Sequence, residues 1–185
     1  VDRGTELTQK LVRYTANREK PTASFDLSQL INEYQVLLKG TLGSKITLKL
    51  QLDPHVNKCK VIAGDFFDAV INLCVNARDA MEEKESGTIK VKTQNISVTK
   101  DNYQLLETIP PGDYIQVSVI DEGTGISEEH LEKILQPFFT TKPKHKGTGL
   151  GLSQIQRFMQ NCGGFLNIES TMGEGSEFQL LFPQS

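Results

Sequence analysis

Hydrophobic residues recur along this chain with two distinct periods, which predict strands and helices in turn. Residues 46–52 alternate isoleucine or leucine with polar residues, the period of two that is typical of a strand with one buried face. Residues 64–81 are apolar over more than one helical face, which predicts a largely buried helix. The same criteria predict further helices at 26–38, 128–135 and 149–161, and further strands at 88–99, 114–120, 165–169 and 176–182. We therefore expect an α+β fold, a two-layer α/β sandwich with every helix on one face of a mixed sheet.

The first 19 residues follow a different pattern. Leu7, Leu11 and Tyr14 lie four and three residues apart, which predicts a short helix with one narrow apolar stripe. Such a helix cannot form a core alone, so we expect it to pack on another helix, in this chain or in a partner. Pro21 ends the pattern, and we place a domain boundary after Thr22, with residues 1–22 as helix and linker and 23–185 as one domain.

Composition narrows the class of protein. The 185 residues are 37% hydrophobic and 23% charged, as in a folded globular domain, and a net charge of −3 gives no reason to expect a nucleic-acid partner. No apolar run approaches the roughly 20 residues that cross a bilayer. The three cysteines lack paired or zinc-type spacing, which favours reduced thiols in a cytoplasmic protein. Nine of the 15 glycines fall between Gly123 and Gly175, where they allow close approach of the backbone to a ligand.

Three polar residues share one face of the helix predicted at 64–81. Asn72, Asn76 and Asp79 lie four and three residues apart on a helix that is otherwise apolar. One interpretation is a set of buried hydrogen bonds, because polar groups in a core must be satisfied. The other is a wall of oxygen atoms for Mg²⁺ and the phosphates that accompany it.

Two glycine-rich segments follow this helix. Residues 121–126 read Asp-Glu-Gly-Thr-Gly-Ile and come directly after a predicted strand, where the carboxylate of Asp121 can accept a hydrogen bond from an exocyclic amino group such as that of adenine. Residues 147–153 read Gly-Thr-Gly-Leu-Gly-Leu-Ser and open a predicted helix, where backbone N–H groups attract anions. The alternatives are an ordinary turn and a flexible helix-entry linker.

A third segment, residues 138–146, combines two adjacent phenylalanines with Lys142, Lys144, His145 and Lys146. The aromatic rings can hold a mobile loop against the core while the cations meet triphosphate charge. A solvated basic loop is the alternative interpretation.

Together and in this order, the segments resemble the four sequence boxes of the ATP-binding catalytic domain of sensor histidine kinases, in the superfamily shared with gyrase B, Hsp90 and MutL. Residues 72–80 resemble the N box, 121–126 the G1 box, 138–142 the F box and 147–151 the G2 box. The resemblance covers residues 26–185 and implies the Bergerat ATP-binding fold. Residues 1–19 resemble the end of the dimerisation helix that precedes this domain in the family.

The resemblance implies roles for individual residues. Asn76 would be the Mg²⁺ ligand and, with Lys142, would act in catalysis, while Asp121 would read adenine and Gly123 and Gly125 would shape the purine pocket. The remaining implied contacts to ATP are Asn72, Asp79, Ile126, Thr141, Lys146, Gly147, Thr148, Gly149, Leu150 and Gly151.

One segment departs from the family pattern. Many members carry a lysine and an aromatic residue where this chain has Asp79 and Ala80. The Asn-Ala-Arg-Asp-Ala version resembles the nitrogen-regulator and hybrid-kinase branches. It leaves the roles of Asp79 and Arg78 open, including whether Arg78 faces solvent.

The implied activity is transfer of the γ-phosphoryl group rather than hydrolysis. In the ATPase branches a glutamate one turn before the Mg²⁺-binding asparagine activates water, whereas this chain has Asn72, which cannot act as a general base. None of His55, His130 and His145 has the sequence context of a phosphoacceptor.

The implied partners are therefore a histidine-containing dimerisation domain of the same protein and a response-regulator receiver domain. We expect a homodimer and a cytoplasmic domain, with anchoring of the full-length parent in the bacterial inner membrane left open. An ATPase and a degenerate, non-catalytic module are the alternatives.

Overall fold

The computed structural model describes residues 22–99, 109–142 and 147–185. The helix predicted over residues 1–19 and the predicted contact at Lys146 lie outside these ranges. In chain order the elements are β1 (Ala23–Asp26), α1 (Leu27–Glu33), α2 (Gln35–Leu42), β2 (Ile46–Leu52), β3 (Lys58–Val61), α3 (Ala63–Ala80), β4 (Gly87–Val98), β5 (Gly112–Asp121), α4 (Glu128–Leu131), α5 (Gly151–Asn161), β6 (Phe165–Thr171) and β7 (Gly175–Pro183).

Five of the strands form one mixed sheet in the order β2-β4-β5-β7-β6. β2 runs parallel to β4, and every other neighbouring pair is antiparallel. This confirms the mixed sheet expected from the sequence. Because β5 is the central strand, its last residue, Asp121, lies between the ends of β4 and β7.

The helices pack on one face of this sheet, as expected. α3 lies against β4 and β5, and α5 lies against β6, β7 and α3. Phe66 and Leu73 from α3 are almost fully buried against Val91, Val117 and Leu180 from the strands. Burial of this apolar face is what makes a helix of this length stable in water. Among the described residues no helix is both long and apolar enough to cross a bilayer.

The sheet's other face is polar at its centre and has a small apolar cluster at one end. Gln116 is buried and donates a hydrogen bond to the Ser118 hydroxyl at 2.8 Å. At the end of the sheet Val98, Tyr114 and Leu181 pack together under Ile109. The alternation along β5 therefore separates a main core from a second, smaller one.

The helix predicted at 26–38 is two helices in the structure. Asp26 caps the first of them, as predicted, and its Oδ1 accepts a hydrogen bond from the Gln29 N–H at 3.0 Å. Tyr34 then leaves helical geometry with φ −94° and ψ 4°. Its ring stacks on Phe67 of α3 with 4.3 Å between ring centroids, so a tertiary contact lies at the residue where the helix is interrupted.

Two short strands were not predicted, and two helices are shorter than predicted. β1 and β3 pair with each other, with Ala23 opposite Val61, and such a non-local pair of four-residue strands has no local sequence signal. α4 ends at Leu131 instead of residue 135. α5 begins at Gly151 instead of residue 149 because Gly149 has φ +67°, which is incompatible with a right-handed helix.

Candidate functional site

The polar face of α3 forms one wall of the candidate site. Asn76 and Asp79 are half-buried, one helical turn apart. No other described residue hydrogen-bonds the side chain of Asn72, and no buried side-chain nitrogen or oxygen of the described residues lacks a partner. The Asn72 amide is therefore accessible to solvent. Asn76 and Asp79, in contrast, accept hydrogen bonds from Lys142, so both interpretations of this face stay predictions.

Asp79 is the centre of an ion-pair network. Its Oδ1 accepts hydrogen bonds from Arg78 Nε at 3.1 Å and from Arg78 Nη2 at 2.8 Å, and its Oδ2 accepts one from Lys142 Nζ at 2.6 Å. Lys142 Nζ also donates to Asn76 Oδ1 at 3.3 Å. Arg78 Nη1 donates to the Thr41 carbonyl oxygen at 3.0 Å, which ties the network to the end of α2.

The charges around Asp79 determine its ionisation. Burial raises the pKa of this carboxyl, but hydrogen bonds and charges from Lys142 and Arg78 outweigh burial and hold the pKa below its usual value. Asp79 is therefore an anion at neutral pH. The side chain of Arg78 is 38% exposed and also hydrogen-bonds Asp79 and the Thr41 carbonyl, so it is partly open to solvent while it is held by the protein.

Asp121 ends the central strand and is almost fully buried at 4% exposure. Its Oδ1 accepts a hydrogen bond from the Gly123 N–H at 2.8 Å. Burial raises the pKa of this carboxyl, while the N–H groups of Gly123 and Ser176 and the charge of Lys84 oppose the rise. The site therefore holds a largely desolvated hydrogen-bond acceptor in a fixed orientation.

The glycines after Asp121 bring α3 and the β6–β7 turn together. A Cβ on Gly123 would lie 2.7 Å from the Cβ of Ala80, the last residue of α3. Gly125 has φ +70°, and a Cβ there would collide with the Thr171 carbonyl. The Thr124 N–H donates to the Ala80 carbonyl at 3.2 Å, so the polar face of α3 and the end of β5 form one continuous surface. Ile126, next along, packs against the main core.

The segment at 138–142 contacts the start of the segment at 147–151. The Phe138 N–H donates to the Gly149 carbonyl at 2.9 Å, and a Cβ on Gly149 would collide with the Phe138 backbone. Phe138 itself has φ +67° and is 74% exposed. A Cβ on Gly147 would lie 2.8 Å from Thr140 Oγ1, which also accepts the Lys142 N–H at 3.1 Å. The two segments therefore form one loop structure, and Lys142 links it to α3.

The structure brings some predicted site residues together and leaves others apart. Lys142 contacts Asn76 and Asp79 directly, and Gly123 links Asp121 to the end of α3. Among the described residues, the predicted ones that make no side-chain hydrogen bond or ion pair to this network are Asn72, Thr141, Thr148, Leu150 and Gly151. Their predicted roles concern a bound ligand and stay predictions.

The family described as histidine kinase-, DNA gyrase B- and HSP90-like ATPase matches residues 63–185 of this chain. The chain belongs to this family. The match includes α3, the end of β5 and both loop segments, the parts that build the site. The sheet and its layer of helices are accordingly the Bergerat ATP-binding sandwich expected from the sequence.

Curated relatives of this histidine kinase-type domain are sensor kinases. Sensor kinase CckA of Brucella abortus is 35% identical over 183 residues, which is 99% of this chain and 19% of that protein. Sensor histidine kinase ZraS of Escherichia coli is 27% identical over 98% of this chain and 35% of that protein. The chain thus spans roughly a fifth to a third of these two relatives' length, and it corresponds to their ATP-binding catalytic domain.

Solved structures agree with the assignment. The catalytic domain of histidine kinase ThkA superposes with a TM-score of 0.66 at 27% identity, covering 89% of this chain and 97% of that one. Full-length ShkA in complex with AMPPNP superposes with a TM-score of 0.69 at 20% identity over 90% of this chain and 32% of that one, a likeness of fold.

Two features of the kinase-domain site were missed at the sequence level. Arg78 orients Asp79, and Ser170 accepts the Ile126 N–H at 2.8 Å, which fixes the segment after Asp121. Arg78 gives no sequence signal because adjacent helix positions do not normally face each other. Ser170 lies 44 residues from Ile126, and the sheet order β5-β7-β6 brings the two together.

Proposed function

We propose that this kinase domain binds Mg-ATP and transfers the γ-phosphoryl group to a histidine on a separate dimerisation domain. The observation that supports the proposal best is the contact of the Lys142 ammonium with Asn76 and Asp79. A cation already lies against Asn76 Oδ1, the oxygen atom to which the family resemblance assigns Mg²⁺. The buried acceptor Asp121 follows on the same continuous surface.

The side chains of the candidate site fit a magnesium ion that binds together with the nucleotide. The described residues contain no cluster of three or more His, Cys, Asp or Glu side chains that could hold a metal alone. Mg²⁺ characteristically keeps several waters and binds through one or two protein oxygens plus phosphates. Asn76 Oδ1 is such an oxygen. When bound, the ion would supply positive charge to the phosphate oxygens.

The chain's own groups would then position the nucleotide. Asp121 would accept a hydrogen bond from the exocyclic amino group of adenine, and Gly123 and Gly125 would let the backbone lie close to the purine ring. Lys142 would offset charge on the phosphoryl oxygens, and N–H groups at Gly149–Gly151 would bind the phosphates. Phosphoryl transfer requires little more of a protein than this positioning and charge stabilisation. An imidazole from the partner domain would attack in line.

The partners and location of the full-length protein follow from the same proposal. Relatives are named sensor kinases and two-component sensors, which supports a dimerisation domain and a response-regulator receiver domain as partners. Dimerisation in the full-length protein would present the acceptor histidine. The domain would act in the cytoplasm, whether or not its parent is membrane-anchored.

The two alternatives are an ATPase and a non-catalytic module. Asn72 disfavours the ATPase, because an amide cannot take a proton from water at neutral pH. A degenerate module is disfavoured because Asn76 and the glycines of the four boxes are all present.

A phosphotransfer assay distinguishes these functions. The chain is mixed with the histidine-containing domain of its own full-length protein and with γ-labelled ATP. We expect acid-labile label on that domain and phosphate release close to background. Asn76→Asp should abolish labelling, whereas Asn32→Asp, the same change at an exposed position of α1, should not. Continuous phosphate release without labelling would indicate an ATPase, and absence of both a nonfunctional module.

A further inference from the structure

The position of Lys142 has a consequence beyond charge stabilisation. Its Nζ lies 3.3 Å from Asn76 Oδ1, the oxygen that the proposed function assigns to Mg²⁺. An ammonium group and a magnesium ion cannot share that position, because two cations at contact distance repel strongly in a partly desolvated site. Lys142 must therefore leave Asn76 when the metal binds there.

Asp79 holds Lys142 in this position more closely than Asn76 does. The distance from Lys142 Nζ to Asp79 Oδ2 is 2.6 Å, and the pair is partly shielded from solvent, with side-chain exposures of 31% and 24%. A hydrogen bond between two charged groups is stronger than one to a neutral amide. The carboxylate thus accounts for the placement of the ammonium.

Arg78 in turn fixes the carboxylate of Asp79. It donates two hydrogen bonds to Oδ1, which leaves Oδ2 for the lysine. Because Arg78 is also held by the Thr41 carbonyl, the orientation of Asp79 is set by the end of α2. Three charged residues are therefore arranged so that the loop lysine lies against the metal-binding oxygen.

We propose that Asp79 is a positioning residue that holds Lys142 on Asn76 in the nucleotide-free protein, so that Mg²⁺ and Lys142 compete for this oxygen. The inference rests on the proposed function for the identity of the competing ion. When Mg-ATP binds, the ammonium is displaced from Asn76 and becomes available to the phosphates. The arrangement places a cation in the site before the metal arrives.

The competition is tested by a double-mutant cycle on the Mg²⁺ requirement for nucleotide binding. The Mg²⁺ concentration at half-maximal binding of ADP is measured by calorimetry for the wild type and for Lys142→Met, Asp79→Asn and the double variant. In the wild-type background Lys142→Met should lower this concentration about fivefold or more, because it removes the competitor. In the Asp79→Asn background the same change should have much less effect. Equal effects in both backgrounds would overturn the proposal, since Asp79 would then not place the lysine.

A second measurement examines the nucleotide-free protein directly. Amide hydrogen exchange of residues 139–142 should become several-fold faster in Asp79→Asn and in Lys142→Met, because the loop loses its link to α3. The matched controls are Glu129→Gln and Lys133→Met, which break an exposed ion pair of 2.8 Å on α4 and its following turn. They should change neither exchange in this segment nor the Mg²⁺ requirement. Unchanged exchange in Asp79→Asn would contradict the positioning role even if the wild type proved unable to bind nucleotide.

Discussion

At the scale of single residues, burial of Asp121 disfavours its ionised form in the folded protein, yet it provides a hydrogen-bond acceptor for a ligand. These two effects are in conflict. A carboxyl group that is 4% exposed loses its hydration, and burial accordingly raises its pKa. Two backbone N–H groups offset only part of that cost. The conflict is resolved if a ligand donates a further hydrogen bond to the carboxylate, as the amino group of adenine would.

This conflict predicts a pH dependence of folding. The pKa of Asp121 is higher in the folded than in the unfolded protein, so the Asp121 carboxyl stays protonated to higher pH in the folded state. The contribution of this protonation to the free energy of unfolding is complete below the unfolded pKa and is lost as pH rises through the folded pKa. The free energy of unfolding of the wild type, relative to Asp121→Asn, should therefore fall as the pH rises above 3.8, the ordinary pKa of an aspartate side chain. Urea unfolding at several pH values measures this difference.

The control lies at the other end of the same strand. Asp113 is exposed, and its carboxylate accepts a hydrogen bond from Ser97. Asp113→Asn makes the same chemical change without removing a buried charge. If the free energy of unfolding of the wild type differed from that of Asp121→Asn by the same amount at every pH, burial would not control the ionisation of Asp121.

At the scale of elements, predictions succeeded where one face of an element is buried along its whole length. β2 has a strict period of two, and α3 has a broad apolar face, and both were predicted to within a residue or two. Predictions failed where a distant contact decides the structure. The helix is interrupted at Tyr34, where the ring contacts Phe67, and β1 is paired with β3. Neither contact is visible in the local pattern.

The break between α1 and α2 is therefore expected to depend on the Tyr34 ring. Tyr34→Ala removes the ring stacked on Phe67 at 4.3 Å and should lower the free energy of unfolding by about 1–3 kcal/mol. Tyr34→Phe keeps the stacked ring and should change it by less than about 0.5 kcal/mol. Urea denaturation measures both variants. Equal destabilisation by the two substitutions would assign the contribution to the hydroxyl group instead of the ring.

At the scale of the whole molecule, the sequence groups the candidate site residues through the family resemblance but does not show how they are connected. Asn76, Asp121 and Lys142 come from segments far apart in the chain, and resemblance to the family was enough to group them. The ion pair between Lys142 and Asp79 was not predictable, because it spans 63 residues and depends on how the loop folds back onto α3. Spacing within a motif carries no information about such a contact.

Because the candidate site joins α3, β5 and the segments at 138–142 and 147–151, nucleotide binding should stabilise the whole domain. A ligand that binds only the folded state at 100 times its dissociation constant adds about 2.7 kcal/mol to the free energy of unfolding. We expect that gain with Mg-ATP for the wild type and for Asp113→Asn. Asp121→Asn should fold, but Mg-ATP should add little to its free energy of unfolding. The substitution replaces a buried carboxylate oxygen with an amide N–H₂ group, which cannot accept a hydrogen bond from adenine. Thermal unfolding with and without Mg-ATP measures the three proteins. An undiminished gain in Asp121→Asn would remove this carboxylate from nucleotide recognition.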